Sequence, residues 1–277
     1  MKPNTCSPSK SKINDYSCYT DTSLLKLREL WNSRHPDSKI KSKDSKEIWQ
    51  ALKKNMANVC NEESCWLRQN FAKHHLSKEL QFYTFAPQAP ATWRKNKNEW
   101  LTSVDIINVM KQYEHSEPSF SFLGPSPIDF DAKQLYGECV WDELCHFNLM
   151  DYLKKNKRKI GIIFNLDEHW KDGSHWVSMF IDVKTQQICY FDSGGDDIPV
   201  EISRLKDKIT QQGKQCHIDF KFKKNHPFEH QYNDSECGIY CLYFIESMIK
   251  NPNFSPFKTK RIPDKEMENH RGIYFRI

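Results

Sequence analysis

Apolar positions in the first third of this chain follow a helical period. Residues 22–33, TSLLKLRELWNS, place Leu24, Leu25, Leu27, Leu30 and Trp31 along one helical face. Asp21 or Thr22 is placed to cap that helix. His35-Pro36 ends it, because the residue before a proline disfavours helical dihedrals. Residues 45–58, SKEIWQALKKNMAN, predict a second amphipathic helix, and residues 62–76 a third. The polar residues 1–20 predict a frayed tail. The prolines of FAPQAPATWRK, 85–95, predict a linker.

Beyond that linker the periods mix. WLTSVDIINVMKQYE, 100–114, is helical by spacing, and IGIIFNL, 160–166, is a short apolar run expected as a buried strand. HWVSMFIDVKTQQICYFDS, 175–193, holds two strand-like runs around a polar centre. PVEISRLKDKITQQ, 199–212, predicts a helix opened by Pro199. CHIDFKF, 216–222, alternates as a half-buried strand does, and ECGIYCLYFIESMIK, 236–250, is a strongly apolar helix. The fold class is therefore α+β, with a mostly antiparallel or mixed sheet. The domains divide as a basic, mostly helical arm over 1–88 and a second domain over 89–277. No internal repeat is visible.

Composition narrows the class. The chain has 277 residues, 38% hydrophobic and 13% aromatic, enough to bury a sizeable core. The formal charge is +5, with Lys and Arg dense before residue 100. A basic arm of this kind is a solvated surface or a weak contact for nucleic acid or an acidic partner. Ten cysteines are present. MKPNTCSPSKSKIND lacks the apolar region of a signal peptide, and a chain of this size does not need disulfide staples. The thiols are expected to be reduced. No apolar run approaches a membrane span.

Chemistry concentrates in two places. In the hairpin 175–193, a turn centred between Val183 and Lys184 opposes residues whose numbers sum to 367. That register sets His175 across from Asp192 on one face. The turn DVKT lacks the Asn-Gly signal of tight hairpins, so the expectation depends on its geometry. The second place is HQYNDSECGIYCLYF, 230–244. Cys237 stands at the mouth of the last long helix, with Ser235 or Asp234 as the expected N-cap. There the helix dipole and a nearby imidazolium favour a reactive sulfur. Gly238 permits close approach of another backbone or a substrate. Cys241, one turn deeper among Ile239, Tyr240, Leu242 and Phe244, reads as a small core residue.

Taken together, H-W at 175–176, Y-F-D-S at 190–193, Q-x4-E-C-G at 231–238 and EWLTSVDIINVMKQYE from Glu99 resemble the signature of the SUMO-protease-like cysteine proteases. That superfamily includes the adenovirus maturation protease and the ubiquitin-like-protein proteases. WNSRHP, EIWQALKK and C-x4-CWLRQNF resemble the arm region of polyprotein-processing proteases of large DNA viruses such as African swine fever virus. The resemblance implies a papain-like or adenain-like catalytic domain with a central mixed sheet flanked by helices. It implies Cys237 as nucleophile, His175 as general base and Asp192 as its orienting carboxylate. Gln231 and the backbone N–H of Cys237 would form the oxyanion hole. Trp176 and Trp100 would narrow the approach so that only Gly-Gly passes. Glu236 departs from the family's usual aspartate, and LTS after Trp100 departs from LND.

The expected function is thus a cysteine endopeptidase that cleaves viral structural polyproteins at Gly-Gly-X sites, needing no metal or other cofactor. Its expected setting is the host-cell cytoplasm at the viral factory, and the virion core. Two alternatives remain: a deconjugase of SUMO or ubiquitin, and an inactive protease fold serving as a nucleic-acid or core-binding module. Other constellations carry less. Cys60 and Cys65 with His74 and His75 fit zinc spacing badly, and Cys139 and Cys145 with His146 fit it less. Asp196-Asp197 reads as a solvated loop.

Overall fold

A computed structural model describes residues 5–10 and 14–277 and divides the chain into two compact units. The smaller unit comprises the described residues up to Ala89 together with Gly272–Ile277, so the extreme C-terminus does not group with the larger unit. It contains helices α1 (Asp21–Arg34), α2 (Ser45–Asn55) and α3 (Lys78–Phe82). Leu24, Leu27, Leu30 and Trp31 of α1 are buried and pack in one cluster with Ile48 and Leu52 of α2. Thr20 caps α1 through the Ser23 N–H, in place of the expected Asp21 or Thr22, and His35 ends it.

Three expectations about this region are corrected. Residues 62–76 hold a 3-10 turn, Glu63–Arg68, rather than an amphipathic helix. The tail expected over 1–20 lies partly outside the described residues, but Tyr19 is fully buried and Ser17 and Cys18 bond to the buried Glu63. Finally, the thiols are not all reduced: Cys6–Cys18, Cys60–Cys65 and, in the other unit, Cys139–Cys145 are disulfide-bonded. Each pair is close in sequence, and Cα separations of 5.2, 5.6 and 6.2 Å lie where such a bond can close. Cys189, Cys216, Cys237 and Cys241 remain free.

The larger unit, Pro90–Arg271, is built on a mixed five-stranded sheet. Its strands are β1 (Phe120–Pro127), β2 (Lys159–Asn165), β3 (Trp176–Asp182), β4 (Gln187–Phe191) and β5 (Lys221–Lys224). They lie side by side in chain order. The β2–β3 and β3–β4 pairs are antiparallel, and the two outer pairs are parallel. Every residue of β3 and β4 is buried, which explains why these segments read as apolar runs rather than alternating ones.

The helices that follow the linker are α4 (Ser103–Ser116), α5 (Asp142–Cys145), α6 (Leu149–Lys154), α7 (Val200–Gln215), α8 (Cys237–Lys250), α9 (Pro256–Thr259) and α10 (Asp264–Tyr274), of which α10 ends on residues grouped with the smaller unit. One cluster sets Ile202, Leu205 and Ile209 of α7 against Ile162, Met179, Ile188 and Tyr190 of the sheet. Another contact places α8 against β3 and β2. Phe191 stacks on Phe244 of α8 with ring centroids 5.1 Å apart. Burying each such side chain contributes about 1.5–3 kcal/mol. This packing fixes the start of α8 relative to the C-terminal end of β4. No helix among the described residues is long and apolar enough to cross a membrane.

Candidate active site

The start of β3 and the end of β4 meet at the edge of this packed layer. His175 precedes β3, and Asp192 follows β4. Their contact forms, but the expected register is corrected. Ser178 pairs with Phe191 and Asp182 with Gln187, so opposed residues sum to 369 rather than 367. The cause is a four-residue loop, 183–186, in which Gln186 takes a left-handed φ of 52° and Asp182 Oδ1 accepts from the Thr185 N–H at 2.7 Å. A slip of two residues keeps both side chains on the same face and makes them diagonal neighbours. His175 Nε2 lies 2.6 Å from Asp192 Oδ1.

Asp192 is fully buried. Its Oδ1 also accepts from the Gly194 N–H at 2.9 Å. Its own backbone is gripped by Asn225, which accepts from the Asp192 N–H and donates to its carbonyl. Burial alone would push the His175 imidazole down. Hydrogen bonds to Asp192 and Cys237, with the negative charge of both partners, outweigh burial and raise it to about 10. The arrangement therefore favours a protonated imidazolium between a carboxylate and a sulfur.

Cys237 is the first residue of α8 and is 2% exposed. The expected caps, Ser235 and Asp234, do not serve. Glu236 occupies the N-cap and makes no capping bond, because its carboxylate turns instead to the Arg271 guanidinium, with Nε–Oε2 at 2.8 Å. Cys241 lies buried one turn below, and burial pushes its thiol well up, consistent with a core role.

Gln231 sits on the same rim, largely buried. Its Oε1 accepts from Ser193 Oγ at 2.7 Å, and its amide nitrogen donates to the Asn233 carbonyl. The Gln231 backbone N–H in turn donates to the Ser193 carbonyl at 2.9 Å. The amide carries two protons, so one donor remains beyond the bond to Asn233.

The two tryptophans behave differently. Trp176 is buried and donates from Nε1 to the Leu101 carbonyl at 3.0 Å. Trp100 is 44% exposed. It lines an open polar cleft of ≈ 580 Å³ with Asn96, Asn98, Glu99, Asn233, Asp234 and Ser235. Leu101 ties them together: a Cβ on Gly238 would lie 3.0 Å from the Leu101 Cβ, so glycine there lets α8 approach the segment that carries Trp100.

Sequence reasoning did not find Ser193, Asn225, Leu101, Asp264 or the Glu236–Arg271 pair. A polar Asn or Ser in a loop carries no spacing signal, and a charge pair over 35 residues is invisible to periodicity. The zinc candidates fare unequally. Among the described residues, Cys60, Cys65, His74 and His75 are not gathered into one group. Cys139, Cys145 and His146 have their ligating atoms within 4.8 Å of one another, but the two sulfurs are joined to each other.

A thiol, an imidazole and a buried carboxylate converging at a helix mouth are the groups that thiol-nucleophile chemistry calls for. Proteins similar to this chain are thiol proteases. Residues 151–276 match the Ulp1 protease family, C-terminal catalytic domain. A protein of Acanthamoeba polyphaga mimivirus, named as a thiol protease, is 26% identical over 295 residues, covering 99% of this chain and 93% of that protein. A SUMO-1 cysteine protease of African swine fever virus (isolate Pig/Kenya) is 27% identical over 256 residues, covering 87% of this chain and 92% of that one. The crystal structure of an African swine fever virus protease shares the fold, with a TM-score of 0.72 at 22% identity over 100% of this chain and 97% of that one. Residues 151–276 thus match a Ulp1-family catalytic domain, and the chain is similar over most of its length to viral cysteine proteases.

Proposed function

We propose that this protein is a cysteine endopeptidase in which Cys237, His175 and Asp192 act as one unit. The observation that carries the reading is the 2.6 Å contact of His175 with a fully buried Asp192, beside a thiol at the first residue of a helix. With Nε2 held by Asp192, Nδ1 is the ring nitrogen that serves Cys237. The imidazolium and thiolate form an ion pair, and the sulfur attacks the scissile carbonyl. His175 then protonates the leaving amine. Asp192 keeps the imidazole oriented and stabilises its charged form. Water hydrolyses the acyl-enzyme to complete the cycle.

The oxyanion is held by the Cys237 N–H, in the first turn of α8, and by the remaining amide proton of Gln231. Trp176 and Trp100 flank the approach and exclude side chains larger than hydrogen, which selects Gly-Gly before the scissile bond. The substrates are viral structural polyproteins at Gly-Gly-X junctions, cut during virion maturation. The viral origin of the relatives supports that setting, at the viral factory in the host cytoplasm and within the virion core. The Lys-rich N-terminal unit serves to dock substrate or core components, with weak nucleic-acid binding as a by-product of its charge.

The test compares the purified protein with its Cys237→Ala variant on Gly-Gly-X peptides and on folded SUMO and ubiquitin precursors. Peptide cleavage lost in the variant supports polyprotein processing. Cleavage of folded precursors alone turns the assignment to deconjugation, and no cleavage of either rejects the enzymatic reading.

A further inference from the structure

The loop from Gln231 to Cys237 holds both expected oxyanion donors, yet it belongs to no regular element before Cys237 itself. Its fixing points come from α10. Asp264 and Arg271 lie seven residues apart in sequence, on one face of a helix. Asp264 accepts from the backbone N–H groups of Tyr232 and Asn233, at 3.2 and 3.5 Å to Oδ1. Arg271 donates from Nε to both oxygens of Glu236, at 3.0 and 2.8 Å, and from Nη2 to the Ser235 carbonyl at 3.5 Å.

The Glu236–Arg271 contact is shielded from water. Glu236 is 0% and Arg271 3% exposed. The Arg271 guanidinium lies over the Trp93 ring at 4.6 Å. At the other end, Arg261 pairs with Asp264 at 2.8 Å and stacks on Tyr232 at 3.5 Å, so each fixing point has its own brace. A buried ion pair of this kind adds little net stability compared with an apolar pair, but losing one partner leaves an uncompensated charge. Its location one residue before Cys237 gives it a second consequence. Any movement of Glu236 moves the N–H that opens α8.

We propose that Asp264 and Arg271 are positioning residues that strap the Gln231–Cys237 loop to α10 and so hold the oxyanion donors in register with the thiol. This rests on the roles given above to Gln231 and Cys237. Neither strap residue touches substrate. Because the oxyanion forms only as the reaction proceeds, the strap acts on turnover more than on substrate binding.

The full chain is compared with Arg271→Gln, Asp264→Asn and the double variant Glu236→Gln/Arg271→Gln. The readouts are kcat and KM on a Gly-Gly peptide, well below the melting temperature, and amide hydrogen exchange over 231–237. Arg271→Gln is expected to lower kcat about tenfold or more while KM moves less than about threefold, and to speed exchange across the loop. Adding Glu236→Gln recovers part of kcat, because the unpaired carboxylate is gone. Lower thermal stability with unchanged kcat and unchanged loop exchange would overturn the proposal. If Arg271→Gln does not fold, Asp264→Asn, which nearly preserves size, gives the same reading through Tyr232 and Asn233. If the wild-type chain cleaves no Gly-Gly peptide, the functional reading fails separately; the exchange data then decide the strap, and unaltered exchange rejects it.

Discussion

Three His–Asp contacts in the larger unit look alike by distance and differ in surroundings. His175–Asp192 spans 2.6 Å, His169–Asp129 2.7 Å and His146–Asp142 2.8 Å. At His146–Asp142 both side chains are open to water, 63% and 84% exposed. At His175–Asp192 the carboxylate is wholly buried and its backbone is clamped by Asn225. Distance therefore does not distinguish a site from a surface ion pair. Burial does, because a desolvated carboxylate holds a stronger grip on the proton opposite, whereas an exposed pair contributes little. The presence of a thiol on the imidazole's other side completes the difference.

Substitutions can break that comparison in graded fashion. The largest effect is expected at Cys237→Ala, which removes the attacking atom; kcat/KM on a Gly-Gly peptide should fall by at least about 10³-fold. Asp192→Asn should cost about 10²–10⁴, whereas Asp142→Asn, at the exposed pair, should leave kcat/KM within about twofold. Equal losses from Asp192→Asn and Asp142→Asn would erase the distinction between the buried and the exposed pair. Gln231→Ala comes next, with a loss of about 10²–10³ in kcat. Gly238→Ala forces a Cβ to within 3.0 Å of Leu101 and should lower stability by about 1–3 kcal/mol in denaturant unfolding.

The smallest effect is on the pH dependence of stability. The folded His175 titrates at about 10, above its ordinary 6.5. Protonation therefore favours the folded state fully below about pH 6.5, and that contribution is lost as pH rises through 10. The melting temperature of His175→Gln should fall less between about pH 7 and 10 than that of the wild type. A parallel fall would contradict the imidazolium.

Much of this site was legible because it sits on elements with strong patterns. α8 and β2–β4 are apolar runs of the right lengths, and His175, Asp192 and Cys237 stand at their ends. The register failed because a four-residue loop with a left-handed Gln186 cannot be read from DVKT. β1 was missed because FSFLGPSP breaks its own pattern with Gly124, Pro125 and Pro127, tolerable on an edge strand. α10 was missed because DKEMENHRGIY is mostly polar. Its main work in the larger unit is done by charges, Asp264 and Arg271, which carry no hydrophobic period. Residues 62–76 misled for the opposite reason: their apolar residues are buried by a 3-10 turn beside the Cys60–Cys65 bridge.

The most direct test of the central claim is covalent trapping. A peptide ending in Gly-Gly and an electrophile is incubated with the wild-type chain and with His175→Ala, and mass spectrometry locates the adduct. The account predicts a single adduct on Cys237, formed in the wild type and slowed at least about tenfold in His175→Ala. Labelling at Cys216 or Cys241, or equal labelling of Cys237 in both proteins, would contradict it.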